Sequence, residues 1–162
     1  MRAYSPTEIE NLQIPELPLD GEWERAFGRP SRFERWFIDG ASASGKSTFV
    51  MMLAKKLCDY GKVEYVSLEE GANLSFKTRS IRLRMKDVAG SFKVVTRVTV
   101  AEIAERLAKP KSANFVIIDS VQYLDVRSFD RLKHASRSSW SRKCIRVSQK
   151  ARWPTTCVST AA

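Results

Sequence analysis

Apolar residues along this chain fall into short blocks that alternate between strand and helix patterns. Arg35-Trp36-Phe37-Ile38 reads as a short buried strand, and Thr48 to Leu57 reads as a helix with a broad apolar face. Val63 to Leu68 then runs apolar like a strand entering a sheet, after a stop at Asp59-Tyr60-Gly61. Leu74 to Met85 carries Leu74, Ile81 and Met85 at helical spacing among Lys77, Arg79, Arg82, Arg84 and Lys86, which predicts a basic amphipathic helix. Phe92 to Val98 is β-branched and predicts another strand. The helix after it, Thr99 to Ala108, opens on a Thr99/Glu102 capping box and ends before Pro110.

Asn114 to Ser120 holds four consecutive apolar residues, Phe115-Val116-Ile117-Ile118, closed by Asp119, as in a strand buried on both faces. Cys144 to Gln149 has a weaker strand pattern. Residues 1–20, with Pro6, Pro15 and Pro18, predict an extended lead-in rather than a helix or strand, and Glu22 to Phe27 one or two helical turns stopped by Gly28. Trp23 and Phe27, four apart, form either a packing pair on one face or a base-stacking surface. The alternation of strands and helices predicts one α/β domain, a mostly parallel sheet flanked by helices, over residues 21–149. Residues 150–162 form a disordered basic tail in this reading.

The candidate chemistry lies where the first strand meets its helix. Gly40-Ala41-Ser42-Ala43-Ser44-Gly45-Lys46-Ser47 fits G-x-x-x-x-G-K-[ST], the P-loop. The glycines allow a tight turn in which backbone amides converge on phosphate oxygens, and the helix that follows adds its positive N-terminal dipole. Lys46 is the cation for the β- and γ-phosphates, Ser47 a ligand of a hydrated Mg²⁺, and Thr48 a contact for the α-phosphate. Asp119 is the candidate second metal residue, opposite Ser47. Glu69 and Glu70, adjacent carboxylates at the end of a strand, either polarise an attacking water or form a solvated acidic pair. The basic helix either contacts nucleic acid or a neighbouring subunit, or is a solvated face.

Charge and cysteine content narrow the partners. The net charge is +10, yet eight of the 28 basic residues and none of the 18 acidic ones fall in 131–162, so residues 1–130 hold 20 against 18. The basicity is therefore a property of the C-terminal part and not of the predicted domain. Three cysteines without paired spacing suggest neither a disulfide framework nor a zinc site, and one histidine leaves no histidine-based metal cluster. No segment is apolar enough to span a membrane and no signal core opens the chain, which predicts a cytoplasmic protein.

The P-loop, the Glu69-Glu70 strand end and Asp119-Ser120-Val121-Gln122, in that order, make the sequence similar to the RecA-like P-loop ATPases. It resembles most the RadA and KaiC-like branch with its phage or mobile-element relatives. That resemblance implies ATP and Mg²⁺ as cofactors, Glu69 as the residue that activates water, Glu70 as its tandem partner, Asp119 as the Walker B acid and Gln149 as a γ-phosphate sensor. It also implies single- or double-stranded DNA as a partner and a homo-oligomeric ring or filament. The chain stops thirteen residues after Gln149, where members of that family continue with further strands. Its ending, rich in Ser and Arg, is expected to be a truncation or a segment foreign to the fold, with a short DNA-binding arm as the alternative. A small-molecule P-loop kinase and a nucleotide-binding module without turnover are the rival readings.

Overall fold

In the computed structural model, residues 3–41, 43–120 and, as backbone, 143–147 are described. Five strands form one all-parallel sheet: β1 (Trp36–Ile38), β2 (Val63–Ser67), β3 (Phe92–Thr96), β4 (Phe115–Asp119) and β5 (Lys143–Val147), in the spatial order β1-β5-β4-β2-β3. Among the described residues the helices are α1 (Pro6–Glu10), α2 (Gly21–Phe27), α3 (Lys46–Leu57), α4 (Leu74–Arg82) and α5 (Val100–Ala108), with a 3-10 turn at Met85–Val88.

Parallel pairing requires crossovers, and the helices that make them cover both faces of the sheet. The two-residue period of the strands sorts side chains between those faces. Val63 and Tyr65 of β2 and Phe115 and Ile117 of β4 pack with Val50, Met51, Leu53, Ala54 and Leu57 of α3. Their neighbours Val66, Val116 and Ile118 pack with Val100 and Ile103 of α5 on the other side. Every residue of β2 and β4 is buried, as the unbroken apolar run of β4 implied. Both halves of the Thr99/Glu102 capping box are formed at the start of α5.

Three expectations are corrected. The strand β1, read as buried, is not: Phe37 is 63% exposed and Trp36 and Ile38 are only half-buried. The lead-in contains a helical turn, α1, capped by a Ser5/Glu8 box, and further on Leu17 and Leu19 are each only 1% exposed and belong to the α3-side core. Burying two leucines contributes roughly 3–6 kcal/mol of transfer free energy, so this segment is part of the fold's hydrophobic core. The predicted apolar face of α4 is also turned outward. Leu74 is 75% and Ile81 67% exposed, whereas Phe76 is buried with Tyr65 edge-on at 5.6 Å. Met85 does reach the core, from the 3-10 turn beyond the helix.

The open base-stacking alternative for Trp23 meets a crowded ring. It lies 5.9 Å from Phe27 and 5.8 Å from Phe49, as a packing pair requires. Ser42, Gln149, the 131–142 stretch and the 150–162 tail lie outside the described residues. β5 falls within the acid-free C-terminal stretch and pairs with β1 on one side and β4 on the other, aligning Val147 with both Ile38 and Asp119.

Candidate functional site

The P-loop connects β1 to α3, and its backbone bends through two left-handed residues, Ala43 at φ 60° and Gly45 at φ 85°. Glycine tolerates that conformation, while alanine carries about 1 kcal/mol or more of strain, which persists only when its surroundings fix it. At Gly40 the constraint is space: a Cβ would sit 3.2 Å from Ser44 Oγ and 3.6 Å from Lys46 Cδ. The loop thus closes over the stem of Lys46.

Lys46 is 9% exposed, and its ammonium donates to the carbonyl of Gly40 at 2.8 Å, to the carbonyl of Ala41 and to Ser44 Oγ at 3.3 Å. All three acceptors belong to its own loop. Among the described residues no carboxylate lies within ion-pair distance of it. Buried charges are ordinarily paired, so a cation held only by neutral oxygens at the start of a helix is an anion-binding arrangement. Ser47 and Thr48 follow in the first turn of α3. The Thr48 hydroxyl accepts a hydrogen bond from Arg82 Nη2 of α4 at 3.2 Å.

A second group of side chains gathers at the carboxyl ends of β2 and β4. Asp119, 5% exposed, accepts a hydrogen bond from the hydroxyl of fully buried Tyr65 at 2.6 Å. Tyr65 lies opposite Ile117 in the register, so its ring reaches diagonally to the residue two further on. Burial holds the Asp119 carboxyl above its ordinary pKa. The Tyr65 hydrogen bond and the Arg79 charge oppose that rise, while Glu70 and Glu69 add to it. Burial, together with the Asp119 charge, pushes the Tyr65 phenol well up.

The two adjacent glutamates diverge. Glu69 is exposed and accepts from the hydroxyl of Ser120, so it faces the end of the Asp119 strand. Ser120 is itself left-handed at φ 71° and buried. Glu70 forms a two-pronged pair with Arg79 of α4, at 2.8 and 2.9 Å, which raises the guanidinium pKa.

The donor set fits a hard, mostly hydrated cation. Tyr65 takes one oxygen of Asp119 and no described residue bonds the other, and a hydroxyl stands at Ser47. Among the described residues no cluster of three His, Cys, Asp or Glu side chains positioned to hold a metal ion occurs. The structure therefore brings Glu69 to the Asp119-Ser120 end, Glu70 to Arg79, and Lys46 into its own loop. Tyr65, Arg79, Arg82 and Ser120 were not legible as site residues.

No protein-family model and no curated protein matches the chain. Solved structures do share its fold. A DnaB-like replicative helicase, solved in a study of its interactions with primase, aligns with a TM-score of 0.55 and 20% identity over 75% of this chain and 41% of its own. The flagellar accessory protein FlaH from Methanocaldococcus jannaschii gives 0.58 and 16%, over 88% of this chain and 74% of FlaH. The ATPase domain of G40P gives 0.54 and 19%, over 75% and 58%. The chain thus spans less than half of the helicase's length and somewhat over half of the G40P domain's. Among the described residues no helix is long and apolar enough to cross a membrane. With a phosphate loop between β1 and α3 and a buried acid closing a central parallel strand, the chain has the RecA-like P-loop ATPase fold of these domains.

Proposed function

We propose that this chain binds ATP with Mg²⁺ through its P-loop, hydrolyses it, and couples that hydrolysis to a transaction on DNA as a homo-oligomer. The observation that carries the reading is the buried Lys46 ammonium, which has neutral oxygens for partners and no counter-charge among the described residues. A triphosphate supplies that charge. Lys46 exchanges its loop carbonyls for β- and γ-phosphate oxygens, while the amides around Gly45 and the first turn of α3 hold the same anion. Ser47 and Asp119 would hold the metal, Asp119 with its carboxylate oriented by Tyr65. Mg²⁺ held there would supply neutralisation of charge on the phosphate oxygens.

Glu69, exposed at the end of β2 and oriented by Ser120, is the group that accepts a proton from the attacking water. Glu70 anchors α4 through Arg79, and Gln149, two residues beyond the end of β5, serves as the γ-phosphate sensor. The adjacent Glu69-Glu70 pair favours the RadA and KaiC-like branch, and the helicase neighbours favour DNA as the partner. A DNA partner makes the cytoplasm its compartment.

The test is phosphate release from ATP with Mg²⁺, with and without single-stranded DNA, on the wild type, Lys46→Ala and Glu69→Gln. Stimulation by DNA in the wild type alone, with Glu69→Gln still binding ATP, supports the proposal. Release that requires a small-molecule acceptor, or tight ATP binding without any release, refutes it in favour of a kinase or a binding module.

A further inference from the structure

The opposite end of the sheet holds a second concentration of positive charge. A cavity of about 280 Å³ opens at the amino-terminal ends of β2, β3 and β4, and Lys62, Lys93, Arg106, Lys109 and Lys111 line it with a single carboxylate, Glu64. That carboxylate is already neutralised. Glu64, with a side chain only 8% exposed, accepts from Arg106 Nε at 3.0 Å and Nη2 at 3.1 Å. The guanidinium keeps three further N–H groups. Among the described residues no carboxylate pairs with any of the four lysines.

Each cation has an ordinary explanation when taken singly. Lys109 and Lys111 follow the C-terminus of α5 and complement its dipole, Lys93 lies on the edge strand β3, where lysine discourages edge pairing, and Arg106 compensates buried Glu64. None of these requires four unpaired lysines, beside the Arg106–Glu64 pair, to line one cavity, where their mutual repulsion stands until an anion enters. We infer that this cavity is a second anion site, built for phosphate groups and distinct from the P-loop at the other end of the strands.

The volume sets the scale of the occupant. It lies at the lower limit of small-ligand pockets, roughly 300 Å³, which suits one or two phosphates rather than a drug-sized molecule. Lysines act on phosphate as mobile point charges, without the planar matching that arginine imposes, so the site recognises charge and not base identity. Two sources supply such a group: a free oligophosphate, or the backbone of a nucleic-acid strand laid across the mouth. The inference is independent of what the P-loop binds.

Lysine footprinting of the full chain tests it, with an amine-reactive reagent and peptide mass spectrometry. Modification is compared without ligand, with inorganic pyrophosphate, and with a single-stranded oligonucleotide, taking Lys77 and Lys86 of the α4 region as references. Severalfold protection of Lys62, Lys93, Lys109 and Lys111 over the references supports the site. Protection by pyrophosphate identifies a free oligophosphate as a sufficient ligand, and protection by the oligonucleotide alone identifies the backbone. In the Lys93→Ala/Lys109→Ala/Lys111→Ala variant, affinity for the protecting ligand falls. If that ligand is the oligonucleotide, its logarithmic salt slope drops by about 0.7 for each lysine removed, while stabilisation by ATP is unchanged. Equal modification under all conditions, protection shared by Lys77 and Lys86, or a variant with wild-type affinity for both probes overturns the inference.

Discussion

Replacing Lys46 by methionine separates a ligand-binding cation from a structural one. Methionine retains most of the apolar stem that the loop closes over and removes only the charge. In the free protein the substitution forfeits three hydrogen bonds to Gly40, Ala41 and Ser44, together worth about 4.5–9 kcal/mol for a charged donor. It also removes the cost of holding an ammonium out of water with no counter-charge, itself several kcal/mol. The two terms are of one size and opposite sign, and water can reach the freed carbonyl of exposed Ala41. The free Lys46→Met protein is therefore expected to unfold in urea within about 1.5 kcal/mol of the wild type.

The bound state differs sharply. On the proposed function, ATP and Mg²⁺ at a hundred times the dissociation constant are expected to stabilise the wild type by about 2.7 kcal/mol, a rise in Tm of about 5–11 °C for a domain of this size. The variant is expected to show no rise at the same concentration, measured by thermal unfolding with and without nucleotide. A variant that keeps the wild-type rise refutes the assignment of Lys46 to phosphate. A variant that loses more than about 3 kcal/mol without ligand refutes the argument from an uncompensated charge, and makes Lys46 a structural pin.

Three further outcomes follow from the packing. Tyr65→Phe removes the hydrogen bond on the buried Asp119 carboxylate and is expected to cost about 1.5–3 kcal/mol in urea unfolding at neutral pH; an unchanged midpoint would show that Asp119 does not depend on Tyr65. Gly61→Ala puts a Cβ 2.7 Å from Asn114 Oδ1, the acceptor for the Lys62 amide, so displacing Asn114 is expected to cost about 1–2 kcal/mol and expose that amide to hydrogen exchange. Glu102, whose carboxylate is held below its ordinary pKa by the Thr99 amide and hydroxyl, stabilises α5 above the unfolded carboxylate pKa and loses that contribution as pH falls through the lower, folded value. The stability gap between wild type and Glu102→Gln should accordingly narrow on acidification, and a gap that is constant with pH contradicts the cap.

What could be read from the sequence was what local chemistry dictates. The strand and helix flanking the glycine-rich loop, the capping box at Thr99 and the apolar strand before Asp119 depend on neighbours in the chain, and each occurs where its pattern implied. Contacts between strands were invisible in the same measure. Nothing local to Tyr65 announces Asp119, 54 residues away, nor does anything local to Arg106 announce Glu64, 42 residues away. Leu17 and Leu19 carry no period and sit between prolines, so only the tertiary fold reveals that they complete the α3-side core.

α4 shows how a correct periodicity can select the wrong face. Leu74, Ile81 and Met85 do share one stripe of a helix, and the sequence holds two large competitors, Phe76 and Leu83, roughly half a turn away. Side-chain area alone favours the stripe of three, but the opposite face also carries Arg79, and Glu70 at the end of β2 needs that guanidinium. Turning Leu74 and Ile81 inward would strand a carboxylate beside Asp119, whose own charge it already disfavours. Leaving one ionised group so placed costs about 3–5 kcal/mol if fully buried, comparable to the gain from two apolar side chains, and Phe76 against Tyr65 decides the balance. The helix then ends at Leu83, where Lys55 Nζ caps the carbonyl at 2.8 Å, and Arg84 turns left-handed at φ 53°. That break swings Met85 back to the core, so the one member of the stripe that is buried gets there by leaving the helix.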